Sequence, residues 1–364
     1  MAKRRNQCDL PEVERSSSLV AKAAGQKLGY QIRTYGISDL WKQTQGEGVK
    51  VAILDTGCFK KHVDLKGSVF KSVRTNTSGL GRFTSGIKVN KKNIERLTRQ
   101  LRRTKNQSRR KYIRKQIATY RRRLKAYQSR YANALLDVTD KDGHGTHVTG
   151  IVTANNNKLG VVGVAPQASV FVIKVLGDNG SGQYSDVARG IRQAVRAKVD
   201  VISMSLGGPD NDPALRAAVK MAYDAGIPVI CAAGNSGNAR KVDFPARYPQ
   251  TISIGAVTDK RTRARFSQRG AHLDFMAPGV SILSTMPGNR YAVMSGTSMA
   301  TPWVAGIVAL MISKHRKYGG KTPIRNVEDV RSHLKKICVD MASRGKDSQT
   351  GFGLIDASQL KNDL

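Results

Sequence analysis

Short apolar runs rich in Val and Ile alternate along much of the chain with stretches in helical spacing. "KVAIL" (50–54), "SVFVIKVL" (169–176), "VDVISMSL" (199–206), "IPVICAAG" (227–234) and "TISIGAV" (251–257) read as buried strands that end near Gly or Asp. Between them, 185–198 and 213–226 have helical periodicity, with Ser185 and Asp212-Pro213 as start signals. Strand–helix–strand alternation predicts an α/β domain, a mostly parallel central sheet flanked by helices in three layers. Such sheets carry their sites at the carboxyl ends of strands.

One segment breaks this pattern. Ile113, Ile117, Tyr120, Leu124, Tyr127 and Tyr131 recur at steps of four and three, an apolar seam on one helix. Ile94, Leu97 and Leu101 form a shorter seam, and "TKNQS" (104–108) separates the two. The pattern predicts an inserted helical hairpin, 91–104 against 109–135, with a disordered basic loop as the alternative.

Charge sharpens that contrast. The 364 residues carry a formal net charge of +36. The stretch Lys88–Arg130 holds 18 Lys and Arg against the single acid Glu95. A surplus of this size suits nucleic acid, an anionic membrane or an acidic protein and says nothing about fold. Cys8, Cys58, Cys231 and Cys338 lie far apart without metal spacing, which reads as free thiols in a reducing compartment. The basic N-terminus lacks an apolar signal-peptide core, and no run reaches the roughly 18 apolar residues of a membrane span. A soluble cytoplasmic protein is the expectation.

Four polar residues sit where elements begin or end. Ser298, crowded by small residues in "SGTSMATP", opens an apolar helical stretch. His144 in "DGHGTHVTG" opens another, and Asp55 in "AILDTG" and Asn235 in "CAAGNSG" follow strands. Singly, Ser298 reads as an N-cap, His144 as a cap or structural residue, and Asp55 and Asn235 as turn residues. Together they supply a nucleophile, its base, a carboxylate to orient that base, and an oxyanion donor.

"LDTG", "HGTHVTG", "SMSLGG", "AAGN" and "GTSMATP", in this order, resemble the signatures of the subtilisin-like serine proteases. Within that family the long stretches 174–186 and 199–237 look most like intracellular subtilisins. The resemblance covers about 30–84 and 138–358, omitting the basic insertion. It implies a serine endopeptidase in which Ser298 attacks the scissile carbonyl and His144 moves the proton. Asp55 would orient His144, and Asn235 with the Ser298 N–H would bind the oxyanion. It also implies substrate bound as an added strand between Gly180-Ser181-Gly182 and Ser205-Leu206-Gly207, with Tyr184 bordering a distal subsite. A plain turn is the bland reading of those glycines. Asp243 stands where relatives commonly have a small residue near the floor of the S1 pocket. It would favour Lys or Arg at P1, unless it pairs with Arg240 or Lys241 outside the pocket. Structural calcium is implied at Asp64, nine residues after Asp55, with the Asn157 side chain and the carbonyls of Asn155, Leu159 and Val161.

The expected organisation is an N-terminal extension at 1–25, open to an inhibitory role, a peptidase domain at 26–358 interrupted by the basic insertion at 85–137, and a tail at 359–364. The 54 residues before Asp55 leave no room for a folded pro-domain. The insertion suits docking to nucleic acid or an acidic protein, with a solvated arm as the alternative. The competing reading of the whole chain is a binding protein on an inactive scaffold of the same fold.

Overall fold

The computed structural model describes residues 7–11, 14–15, 25–237, 241–319 and 324–361. They form two compact units, residues 77–137 and the remainder. Most of residues 1–25, all of 362–364, and Arg240 lie outside the described residues.

In the larger unit the strands are, in chain order, β1 (Gln7–Asp9), β2 (Glu14–Arg15), β3 (Lys50–Asp55), β4 (Val69–Arg74), β5 (Ser169–Lys174), β6 (Ser181–Gln183), β7 (Val201–Met204), β8 (Val229–Ala232), β9 (Ile252–Val257), β10 (Phe275–Pro278), β11 (Ile282–Met286), β12 (Arg290–Ser295), β13 (Cys338–Val339) and β14 (Leu354–Ile355). Nine of them make one sheet in the order β13-β14-β10-β9-β8-β7-β3-β5-β4. Its neighbours are parallel except β13 with β14. All four residues of β7 and of β8 are buried, and all six of β9, as expected of strands covered on both faces. The apolar runs found these strands. β4, half exposed, and the short β10 to β14 lack such runs and were not anticipated.

The helices are α1 (Tyr30–Arg33), α2 (Ile37–Leu40), α3 (Gly81–Arg103), α4 (Gln107–Leu136), α5 (His144–Thr153), α6 (Tyr184–Arg196), α7 (Pro213–Asp224), α8 (Thr297–Tyr318) and α9 (Val327–Lys336). α5 and α8 pack together on the sheet, and α6 and α7 pack together against β3, β5 and β8. Asp212 caps α7, accepting from the Leu215 N–H at 2.8 Å. Ser185 does not cap α6: the helix starts at Tyr184, its N-cap is Gln183, and no side chain caps it.

The smaller unit consists of α3 and α4, joined through Thr104–Asn106 and packed on each other. Leu97, Ile113 and Ile117 are buried between them, with Ile94, Leu101 and Tyr120 alongside. α3 starts at Gly81, ten residues before the apolar spacing predicts, because the polar Asn90 interrupts the seam that Phe83 and Ile87 extend into its first turns. Asn106 caps α4 through the Arg109 N–H, and Arg110 donates to the carbonyls of Leu101 and Thr104 at 3.1 and 2.8 Å, tying the link to both helices. Among the described residues no helix is long and apolar enough to cross a membrane.

Candidate active site

Parallel strands bring their carboxyl ends to one edge of the sheet. Asp55 is the last residue of β3, Ser205 follows β7, and Asn235 comes three residues after β8. His144 begins α5, and Ser298 is the second residue of α8.

His144 Nδ1 and Asp55 Oδ1 are 2.8 Å apart, with both side chains at most 1% exposed. The backbone N–H of Thr56 donates to the same Asp55 oxygen at 2.8 Å. Thr56 also ties the two elements together. Its hydroxyl accepts from the Gly145 N–H at 2.9 Å and donates to Asp140 Oδ1 at 2.9 Å. Asp140 in turn accepts from the N–H groups of Gly143 and Thr146 and from the Thr146 hydroxyl. This buried carboxylate serves the orphan donors at the start of α5 from outside the helix. A Cβ on Gly145 would come within 2.1 Å of the Gly57 carbonyl, so glycine is needed for α5 to approach the turn after β3. Burial works to lower the His144 pKa, but the Asp55 charge and hydrogen bond outweigh it, with Asp142 and Asp140 adding, and the pKa lies above its ordinary value.

Ser298 is held over the neighbouring strand end. Its hydroxyl donates to the Ser205 carbonyl at 3.3 Å, and the Ser205 hydroxyl donates to the Ser298 carbonyl at 2.8 Å. His144 Nε2 is buried without a hydrogen-bond partner among the described residues. The Ser–His bond is therefore not formed in this structure. Adjacent strands lie about 4.8 Å apart, so the two groups are anchored one strand from each other. Asn235 Oδ1 accepts from the Thr297 N–H at 2.9 Å and its hydroxyl at 2.7 Å, which fixes the amide with Nδ2 as its donor end. Cys58 is buried beside these groups, and its thiol pKa is pushed up to about 12, mainly by burial, so it is a poor nucleophile.

The cleft beside Ser298 holds part of the chain itself. β1 pairs antiparallel with β6, Cys8 opposite Gly182 and Asp9 opposite Ser181. The Leu10 N–H donates to the Gly180 carbonyl, and Asp9 exchanges both backbone hydrogen bonds with Gly207 at 2.9 and 3.1 Å. Leu206 and Tyr184 are buried, and the Tyr184 hydroxyl accepts from the Asp210 N–H at 3.1 Å. Continued two residues from Asp9, the same antiparallel register would put Pro11 opposite Ser205. Pro11 lines a cavity of about 450 Å³ with Leu10, Gly207, Asn235, Ser236 and Asp243. Asp243 Oδ1 accepts from the Gln268 amide at 3.2 Å. Beyond the cleft, β2 pairs with the end of β12, Glu14 opposite Ser295, three residues before Ser298.

The remaining predicted residues also gather. Asp64 is fully buried; its carboxylate accepts from the Asn157 amide at 3.2 Å, the Val161 N–H at 3.0 Å and the Tyr291 hydroxyl at 2.9 Å. Gly160 has φ +48°, and a Cβ there would strike Tyr291 and the Asp64 carboxylate. Asn157 Oδ1 accepts from the Leu159 N–H at 3.0 Å. Gln26, which sequence reasoning missed, places Nε2 2.8 Å from the Asn155 carbonyl and 3.2 Å from that of Val161. Its distance along the chain from Asp64 left no local signal. Asp140 was also missed, looking like an ordinary polar residue before the "DGHG" turn.

The model of the subtilase family matches residues 46–353 of this chain. Subtilisin E of Bacillus subtilis is 54% identical over 220 residues, 60% of this chain and 55% of that protein. The intracellular serine protease of Paenibacillus polymyxa is 40% identical over 276 residues, 75% of this chain and 69% of that protein. The major intracellular serine protease of Bacillus subtilis is 36% identical over 288 residues, 78% and 74% of the two chains. The chain spans little more than half the length of several of the curated relatives it matches.

The Asp55–His144 pair sets the titration of the imidazole. In a Ser298→Ala chain, NMR titration should give His144 a pKa above the ordinary value of about 6.5. With Asp55→Asn, burial is opposed only by Asp142 and Asp140 and the pKa should fall; an unmoved pKa would contradict the pairing.

Proposed function

The chain belongs to the subtilase family, and from that premise we propose that it is a serine endopeptidase whose centre is Asp55, His144 and Ser298 with Asn235. The observation that carries this reading is the buried 2.8 Å contact between Asp55 and His144 at the strand end next to the one that anchors Ser298. In the mechanism, a rotation about the Ser298 Cα–Cβ bond moves the hydroxyl from the Ser205 carbonyl to His144 Nε2. The imidazole takes the proton as Oγ attacks the scissile carbonyl, then gives it to the leaving amine. Asp55 keeps the Nδ1–H tautomer and stabilises the imidazolium. The oxyanion is met by Asn235 Nδ2 and the Ser298 N–H at the start of α8, where each donor is worth roughly 2.7–4 kcal/mol.

The substrate is an extended polypeptide added between β6 and the segment after β7, the mode that residues 7–10 already use. Those residues make the N-terminal segment an inhibitor of its own cleft. Pro11 would make it resistant to cleavage: it has no N–H for the Ser205 carbonyl, which instead accepts the Ser298 hydroxyl. The inactive-scaffold alternative finds no missing group to rest on. The polypeptide is the substrate, and the basic insertion would serve a separate anionic partner, in keeping with a cytoplasmic enzyme that meets such partners.

Asp243 makes the cavity beside Asn235 a pocket for Lys or Arg, since a half-buried carboxylate in its lining attracts a cationic side chain and disfavours an apolar one. Calcium fits the site around Asp64. The carbonyls of Asn155 and Val161 converge on one amide nitrogen, and two amide NH₂ groups, from Gln26 and Asn157, stand where a cation would. A half-turn of both amides would offer oxygens in their place, so that Asp64, Asn157, Gln26 and the carbonyls of Asn155, Val161 and Leu159 supply hard oxygen donors. When bound, the ion would cross-link the segment at Gln26 to the loop after α5 without entering the chemistry.

Three outcomes test this reading. A fluorophosphonate should label Ser298 at least tenfold faster in a chain lacking residues 1–15 than in the full chain, and not at all in Ser298→Ala. Absence of label in the truncated chain would end the peptidase reading, and equal rates would end self-inhibition. The truncated chain should hydrolyse Arg-P1 peptides over Phe-P1 peptides by about tenfold or more, the low end of a desolvated charge pair, with the order reversed in Asp243→Ser. A Phe preference in the parent chain would reject the pocket assignment. EDTA should lower the melting temperature by several degrees, with recovery on adding Ca²⁺ but not Mg²⁺, as about 1–2 kcal/mol in a domain of this size predicts; an unchanged melting temperature would remove calcium from the account.

A further inference from the structure

The helical insertion is left unused by peptide hydrolysis, and its surface is unusual for a merely solvated arm. Helices α3 and α4 with the link between them carry 19 Lys and Arg, 12 of them Arg, against the single acid Glu95. All but Arg110 are exposed. Among the described residues none of them pairs with a carboxylate. Solubility alone is better served by interleaved acids, because like charges four apart weaken a helix by a few tenths of a kcal/mol each. Here such pairs recur, as in Lys88–Lys92, Arg99–Arg103, Lys111–Lys115 and Arg121–Lys125. That repulsion is relieved by an anionic partner.

A second feature narrows the partner. On α4 a trough of about 320 Å³ is lined by Tyr112, Lys115, Gln116, Thr119, Tyr120 and Arg123. Tyr112, off the apolar seam, is 53% exposed. The Arg109 guanidinium lies 5.7 Å from the Tyr112 ring and that of Arg123 lies 5.8 Å from the Tyr120 ring. At 3.6 residues per turn, Arg109, Lys115, Arg122, Arg123 and Arg130 fall on the side of the trough, with Lys111 at its margin, over roughly 30 Å. Aromatic faces, amide and hydroxyl groups, and a row of cations dominated by Arg form a platform for unpaired bases joined by phosphates. An acidic protein would use the cations and leave the trough idle.

We propose that the insertion binds single-stranded nucleic acid, RNA or DNA, through phosphate contacts along α4 and base stacking at Tyr112 and Tyr120. This does not rest on the peptidase reading, since it is tested in a Ser298→Ala chain. Fluorescence anisotropy with labelled 20-nucleotide strands should give a log K against log salt slope near −4, from about six phosphates at ~0.7 each. Replacing the six cations named above by Gln, a good helix former, should weaken binding at least a hundredfold at low salt and flatten the slope. Tyr112→Ala should weaken it roughly five- to a hundredfold with circular dichroism unchanged, which keeps the test valid if the six-fold variant loses helicity. Unchanged binding in Tyr112→Ala, equal affinity for a duplex of the same sequence, or equal affinity for polyglutamate at the same salt would each overturn the proposal.

Discussion

The buried contact between Asp55 and His144 governs much of the architecture around it. Two groups at most 1% exposed have given up water and are tolerable only while both are present and bonded, since removing one partner of such a pair costs about 3–5 kcal/mol. The contact is kept by backbone geometry. Thr56 binds Asp55 through its N–H and α5 through its hydroxyl, and Asp140 gathers three donors at the head of α5. Strand β3 and helix α5 are thus locked at the point where the carboxylate meets the imidazole. The parallel sheet then sets the strand anchoring Ser298 beside β3, so the proposed arrangement of these groups is largely a property of strand order.

The parts of this arrangement that rest on local chemistry were legible in the sequence. A carboxylate at the end of a buried apolar run, a histidine and a serine each opening an apolar helix, and an asparagine after a strand are patterns that short-range reasoning can find. The strands β5, β7, β8 and β9 were equally visible because burial on both faces leaves continuous apolar runs. What escaped depends on contacts distant in sequence. β1 has no strand periodicity and exists through its pairing with β6. Gln26 reaches the Asp64 loop across more than a hundred residues to Asn155. Asp140 is informative only once α5 lies above it. The start of α3 was invisible because the polar Asn90 interrupts its apolar seam, and Ser185, a good cap by type, lies one residue inside its helix.

The insertion shows how such a core tolerates added mass. It enters after Asn76 and leaves before Val138, and it has its own small apolar centre at Leu97, Ile113 and Ile117. Closing even a long excursion costs little entropy beyond that of a short loop. A unit with its own apolar centre can thus carry a surface of quite different charge from that of the sheet-bearing unit.

The pairing of β1 with β6 has a consequence of another kind. A vacant β6 would present unsatisfied backbone groups along an exposed edge, the arrangement through which folded chains stick to one another. While Gln7 to Asp9 fill that edge, no second molecule can zip onto it. Opening the cleft and baring an adhesive edge are thus one event. A freshly opened molecule would then pair with another strand, a peptide or the tail of a neighbour, whichever it meets first.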